Sequence, residues 1–250
     1  MTPSFSLSGK VAIVTGASRG IGEAIARAFV ASGARVLMSS RKIEASAAAA
    51  LGSSAHAFAA HTGQEPNCIA LVAEAIRVFG KVDVLVNNAG TNPYFGPLIE
   101  APMPAWDKTF EVNLKGYFWT AREVARHLAG RNAPGSIVNI SSVNGLRGAP
   151  LQGVYAMTKA AVISLTRTLA AELGPGGIRV NAIAPGLVDT RLASALVKAE
   201  ALSGEWLQRT PLKRVASPDE IAGAALYLAS EASSFVTGEV LVVDGGTTIA

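Results

Sequence analysis

Seven short runs rich in β-branched residues are separated by longer stretches of helical periodicity: Val11–Thr15, Arg35–Ser39, Ala55–Ala60, Val82–Asn87, Ser136–Ser141, Ile178–Ala182 and Val240–Asp244. This alternation constrains the fold more than any other feature of the chain. Parallel strands need crossovers of a dozen or more residues, and helices fill that length. Several runs are apolar on both faces, as a strand requires when helices cover its sheet on each side. The pattern predicts one α/β domain over residues 1–250, with a doubly wound, seven-stranded parallel sheet. A length of 250 residues suits a single core, and 50% hydrophobic with 16% charged residues describes a packed chain.

Some helix limits are legible. Ser217-Pro218-Asp219-Glu220 supplies a cap, a first-turn proline and a capping-box glutamate ahead of Ile221–Ala229. Between Asp107 and Ala129 the residues Phe110, Leu114, Phe118, Ala121, Ala125 and Leu128 recur at helical spacing. Val154–Leu173 is apolar almost all round, which predicts burial by the sheet and by a second subunit.

Composition removes several function classes. The net charge is +4, but the basic residues are scattered, so no nucleic-acid partner is expected. Cys68 stands alone, and His56, His61 and His127 lack ligand spacing, so neither a disulfide nor a metal site is predicted. No signal core is visible, and no apolar run approaches the ~18 residues of a membrane span. With no peroxisomal tripeptide at the C-terminus, a cytoplasmic enzyme is expected.

The first strand runs into Gly16-Ala17-Ser18-Arg19-Gly20-Ile21-Gly22, followed by a helical pattern from Glu23. Glycines permit a tight turn and a close backbone approach to pyrophosphate, and the helix N-terminus offers free N–H groups. The second strand ends in Ser40-Arg41-Lys42, with no carboxylate to bind ribose hydroxyls and repel a 2′-phosphate. Ser40, Arg41 and the nearby Arg19 suit a phosphate monoester and predict NADP(H) over NAD(H).

Tyr155 and Lys159 lie four apart, neighbours on one helix face. A tyrosine near pKa 10 is a poor proton shuttle at neutral pH, and an adjacent ammonium would lower that value. In order and spacing, Thr15-Gly16-x-x-x-Gly20-Ile21-Gly22, Asn87-Asn88-Ala89-Gly90, Asn113, Ser142, Tyr155-x-x-x-Lys159 and Pro185-Gly186 resemble the short-chain dehydrogenase/reductase superfamily. The likeness covers Gly9 to Gly246 and implies a single-domain Rossmann fold moving hydride between NADP(H) and a carbonyl or alcohol.

The resemblance implies roles residue by residue. Tyr155 would give a proton to the carbonyl oxygen in reduction and take it back in oxidation. Lys159 would lower the pKa of Tyr155 and bind the nicotinamide ribose. Ser142 would hydrogen-bond the substrate oxygen, and Asn113 would hold a water linking Lys159 to solvent. Asn88, Ala89 and Gly90 would line the cofactor groove; Pro185, Gly186, Val188 and Thr190 would hold the nicotinamide. The family's adenine-binding Asp after the third strand is absent here, and His61 is a candidate in its place. Much of the family is tetrameric, so a homotetramer is expected, or a dimer.

Tyr94 and Phe95, with Ser39-Ser40-Arg41-Lys42, look similar to NADPH-dependent carbonyl reductases that also handle retinoids, with β-ketoacyl thioester reductases as the alternative. A reading of another class is a catalytically silent cofactor-binding regulator. The segment from 190 to 211 reads as a substrate lid, with Leu192, Leu196 and Trp206 closing on a ligand and Gly204 as a flexible point. With Tyr94, Leu151 and Leu187 it would form an apolar pocket that favours hydrophobic carbonyls over small sugars or keto acids.

Overall fold

The structure is a computed structural model that describes residues 4–193 and 200–250. Its seven strands are β1 (Val11–Thr15), β2 (Arg35–Ser40), β3 (Ala55–Ala59), β4 (Val84–Asn87), β5 (Gly135–Ile140), β6 (Ile178–Pro185) and β7 (Val240–Val243). They form one sheet in the order β3-β2-β1-β4-β5-β6-β7, every pair parallel. The α/β expectation therefore holds, and the strand limits agree to within three residues. The largest difference is β6, which continues to Pro185 rather than stopping at Ala182. Proline lacks the N–H of an interior strand residue, so it fits only as the last rung.

The helices are α1 (Gly20–Ala31), α2 (Ala45–Ala49), α3 (Glu65–Phe79), α4 (Met103–Phe110), α5 (Gly116–Gly130), α6 (Gly153–Leu173), α7 (Glu200–Arg209) and α8 (Pro218–Ala229). On one face Ile25 and Phe29 of α1 meet Ile221, Ala225 and Leu228 of α8 over Val14, Val36 and Val86. On the other, Leu71 and Ala75 of α3 meet Val124 and Leu128 of α5 over Ile13, Leu85 and Ile137. Each such side chain, fully buried, contributes roughly 1.5–3 kcal/mol. The capping box is present: the Ser217 N–H donates to the Glu220 carboxylate at 2.9 Å.

One expectation needs correcting. The stretch from Asp107 to Ala129 is not a single α-helix, because Glu111–Lys115 forms a π-turn between α4 and α5. The extra residue in that turn is invisible to a 3.6-residue pattern, and it lies where Asn113 is displayed.

Strand order reverses between β1 and β4, whose neighbours lie on opposite sides. In an open α/β sheet the carboxyl ends at such a switch point frame the ligand crevice. Among the described residues no helix is long and apolar enough to cross a membrane.

Candidate active site

A groove of about 900 Å³ opens over this switch point. Gly16, Ser18, Arg19, Gly20, Ile21, Ser40, Arg41, His61, Asn88, Ala89, Gly90 and Thr190 all line it, as the sequence reading places them. Gly22 lies beneath, packed on the turn.

The turn is built for backbone approach. Gly16 has φ +65°, and a Cβ there would stand 2.8 Å from Asn88 Nδ2 and 2.9 Å from Ala89 Cα. A Cβ on Gly22 would collide with the Gly16 carbonyl oxygen. Thr15, which the sequence reading used only as a motif letter, ties the two walls together. Its hydroxyl accepts from the Asn88 N–H at 2.9 Å and the Ala89 N–H at 3.1 Å. The Asn88 side chain returns the link, donating to Thr15 O at 2.9 Å and Gly16 O at 3.2 Å. Arg19, at the N-cap of α1, makes no side-chain cap, so the first N–H groups of the helix face the groove.

Arg19 and Arg41 are exposed and in no ion pair among the described residues. His61 is held on both ring nitrogens: Gly63 N–H donates to Nδ1 at 3.0 Å, and Lys108 Nζ lies 2.9 Å from Nε2. Burial, then the charges of Lys108 and Arg41, lowers the His61 pKa, so the ring is neutral at pH 7. Lys108 had no part in the sequence reading, since nothing in its spacing ties it to His61.

The proposed catalytic residues come from three elements. The π-turn presents Asn113, the loop after β5 presents Ser142, and the first two turns of α6 present Tyr155 and Lys159. A buried polar network braces these elements. Asn87 Nδ2 donates to Asn139 Oδ1 at 3.0 Å, Asn139 Nδ2 to Thr166 Oγ1 at 2.9 Å, and Thr120 Oγ1 to Asn87 Oδ1 at 2.6 Å. Each side chain is fully buried and each bond crosses between a strand and its neighbour element, so the network fixes α5 and α6 on the sheet.

Asn113 is spent locally. It accepts from Thr91 N–H at 2.8 Å and donates to Thr91 O at 2.9 Å and Thr158 Oγ1 at 3.2 Å. Ser142 Oγ accepts from Asn144 N–H at 3.1 Å, and its own proton is turned toward the Tyr155 hydroxyl. Lys159 is buried, its Nζ lying 5.5 Å from the centre of the Tyr155 ring. Burial pushes the Tyr155 phenol up to about 12, against a smaller downward pull from the Ser142 hydroxyl. The same burial pulls Lys159 down to about 7. The expected lowering of the phenol by the ammonium is therefore not seen in the chain alone; burial sets the direction and favours the protonated phenol.

Pro185 and Gly186 end β6 against the C-terminal turn: Gly186 N–H donates to Val243 O at 3.0 Å, and a Cβ on Gly186 would meet Asp244 Cα at 2.8 Å. Val188 is buried in the core cluster, so it backs the wall rather than facing it. The substrate side is assembled from two tied loops. Gly96 N–H donates to Leu151 O at 2.9 Å, and Asn92 Nδ2 to Gln152 Oε1 at 3.1 Å, which brings Tyr94 and Leu151 to one rim. Leu151 adopts φ +65°, a strained value for a branched side chain. Leu187 lies across, half-buried, its carbonyl accepting from Ala216 N–H. Of the expected lid, residues 194–199, with Leu196 and Lys198, lie outside the described residues. Trp206 is described, with the Arg147 guanidinium 5.2 Å above its ring, and Leu192 is exposed.

The chain is similar to known proteins along nearly its whole length. Residues 16–248 match the family described as enoyl-(acyl carrier protein) reductase. Dehydrogenase/reductase SDR family member 4 of Sus scrofa is 38% identical over 246 residues, 96% of this chain and 88% of that protein. Galactitol 2-dehydrogenase (L-tagatose-forming) of Cereibacter sphaeroides is 40% identical over 98% of this chain and 97% of its own length. The crystal structure of a gluconate 5-dehydrogenase from Burkholderia cenocepacia, in complex with NADP and tartrate, superposes with a TM-score of 0.94 at 38% identity, covering 98% of each chain. The chain belongs to the short-chain dehydrogenase/reductase family and is a hydride-transferring oxidoreductase.

Proposed function

We propose that this oxidoreductase works with NADP(H) on carbonyls and secondary alcohols that carry a hydrophobic body. The observation that carries the reading is the meeting of three side chains: the Tyr155 phenol, the Ser142 hydroxyl beside it, and the buried amine of Lys159 5.5 Å from the Tyr155 ring centre. NADP bound to the Burkholderia gluconate 5-dehydrogenase supports the cofactor class.

The groove fits a dinucleotide on its own terms. Gly16, Gly22 and the uncapped start of α1 leave room and donors for a pyrophosphate; Arg19, Ser40 and Arg41 would take a 2′-phosphate. Asn88, Ala89 and Gly90 would form the floor, and Pro185, Gly186 and Thr190 the nicotinamide wall. When bound, the cofactor supplies or accepts the hydride. Ser142 Oγ–H would donate to the substrate oxygen and stabilise charge developing there. Tyr155 would deliver its phenolic proton to that oxygen in reduction; in oxidation its phenolate would remove the hydroxyl proton. Lys159, through its buried charge, would ease the loss of that proton.

Exposed apolar side chains support the apolar substrate class: Leu192 lines the groove, and Phe95 and Leu151 are exposed on the two tied loops. A panel of aromatic diketones, quinones, aldehydes, acetoacetyl thioesters, ketoses and keto acids, reduced with NADPH, tests this. The diketones and quinones should show the highest kcat/KM. A clear preference for ketoses or keto acids, in line with the polyol and sugar-acid dehydrogenases among its relatives, would overturn the apolar reading and leave the chemistry standing.

The chain is also expected to work as a homotetramer. The outer face of α6 carries the small or short residues Ala160, Ser164, Thr168 and Ala171, which allow close helix approach. β7 is an edge strand, and near it Phe235 and Ile249 are almost wholly exposed. Symmetric pairing is the usual way to cover such surfaces. Light scattering at micromolar concentration should give about four times 25.6 kDa. A monomeric mass would defeat the expectation.

A further inference from the structure

Lys159 does not touch Asn113; its polar partner on the far side is a residue no motif contains. Tyr117 sits on the first turn of α5, immediately after the π-turn, and is 1% exposed. Its hydroxyl donates to Ile140 O at 3.0 Å and lies 3.3 Å from Lys159 Nζ, from which it accepts. Nζ also donates to Ile140 O at 2.7 Å. The three atoms close a triangle at the end of β5. In addition the ammonium lies 5.1 Å from the centre of the Tyr117 ring and 5.5 Å from that of Tyr155. The hydroxyl edge of Tyr117 and the ring of Tyr155 thus flank one amine.

We propose that Tyr117 is the positioning residue for Lys159, its hydroxyl fixing Nζ by a hydrogen bond so that the charge stays beside Tyr155. The proposal rests on the reading of Lys159 as partner of Tyr155. An ammonium has three N–H donors. Ile140 O and the Tyr117 hydroxyl take two, and the third is left for the open side of the site. A π face stabilises a cation most where water is excluded, which is the situation here.

The surroundings leave Tyr117 this task by default. On its own helix Lys159 has Tyr155; from α5 it has Tyr117; from the end of β5 it has Ile140 O, and from the loop that follows the uncharged Ser141 and Ser142. Ser141 Oγ is committed to the Lys159 carbonyl oxygen at 2.9 Å. No carboxylate shifts Lys159; burial is the one cause of its depressed pKa. With no carboxylate partner among the described residues, the Tyr117 hydroxyl, Ile140 O and the Tyr155 ring are what favour the charged form against desolvation.

The sign follows directly. A group that favours the ammonium raises the Lys159 pKa, so removing it must lower that pKa and narrow the pH range in which the amine is charged. The test follows the 13Cε chemical shift of Lys159 against pH by NMR in the chain labelled at lysine, a readout independent of turnover. The wild-type midpoint is expected at about 7. In Tyr117→Phe, which keeps the ring and loses the hydroxyl, it should fall by about one pH unit. Tyr117→Leu, which loses the same hydroxyl, should lower it by a similar interval. In the carbonyl reduction assay, the high-pH limb of kcat should move down by the same interval in Tyr117→Phe, with NADPH affinity within about twofold of wild type. A midpoint unmoved in Tyr117→Phe, with the protein folded, would overturn the proposal even if Tyr155 proves essential. Loss of Tyr155 dependence with a shifted midpoint would instead remove the functional reading and leave the clamp.

Discussion

Tyr155→Phe is expected to lower kcat by on the order of 10²–10⁴ while leaving NADPH affinity nearly intact. The ring stays in place and only the phenolic proton goes. The buried cluster around it, Lys159 on Ile140 O and Asn113 on Thr91, does not depend on that hydroxyl. The fold should therefore survive, and a binding titration should show it. Burial holds the wild-type phenol up to about 12, so at neutral pH it is an acid with its proton in place. Reduction should accordingly proceed at pH 7, and oxidation should quicken as pH rises toward that value. A variant that keeps more than about a tenth of wild-type kcat would remove Tyr155 from the mechanism. Measuring both directions separates a lost acid from a lost binding contact, since the latter would raise KM first.

The parts legible from sequence are those whose signal is local. A strand that is apolar on both faces announces a covered sheet, so all seven runs were found. The glycine turn was legible because Gly16 and Gly22 face backbone clashes that only glycine avoids, a constraint carried by the residues themselves. The π-turn at Glu111–Lys115 was missed because its extra residue shifts the helical phase without changing composition. Tyr117 was missed for a different reason. Its role depends on meeting Lys159 and Ile140 across three elements, and nothing in the local sequence distinguishes it from a core aromatic. Lys108 escaped likewise, since it reaches His61 over 47 positions of chain. The expected lowering of the Tyr155 phenol by Lys159 is not what the chain alone shows: burial raises it, and the one downward pull comes from the Ser142 hydroxyl. Spacing shows that two groups are close, but only the folded structure shows how much water both have lost.

Arg41→Ala should weaken NADPH binding and spare NADH, and the size of the effect can be bounded. A charge-assisted contact to a phosphate contributes roughly 1.5–3 kcal/mol, a factor of about 10 to 150 in affinity. Arg41 is exposed at the end of β2, so solvent and salt screen it and the lower end applies, about tenfold at physiological ionic strength. Arg19 faces the same part of the groove, and with two guanidiniums sharing one dianion the losses should not simply add. The double variant should therefore lose less than the product of the single losses. Ser40, half-buried between them, offers a neutral hydroxyl where a carboxylate would repel the phosphate. Ser40→Asp should consequently invert the preference, costing NADPH affinity while improving NADH. Fluorescence titration of each variant with both cofactors, repeated at raised salt, reads all of this. The NADPH advantage should shrink with ionic strength in wild type and be nearly salt-independent in the double variant. Equal losses for NADPH and NADH in Arg41→Ala would show that the guanidinium serves the groove's general field and does not read the 2′-phosphate.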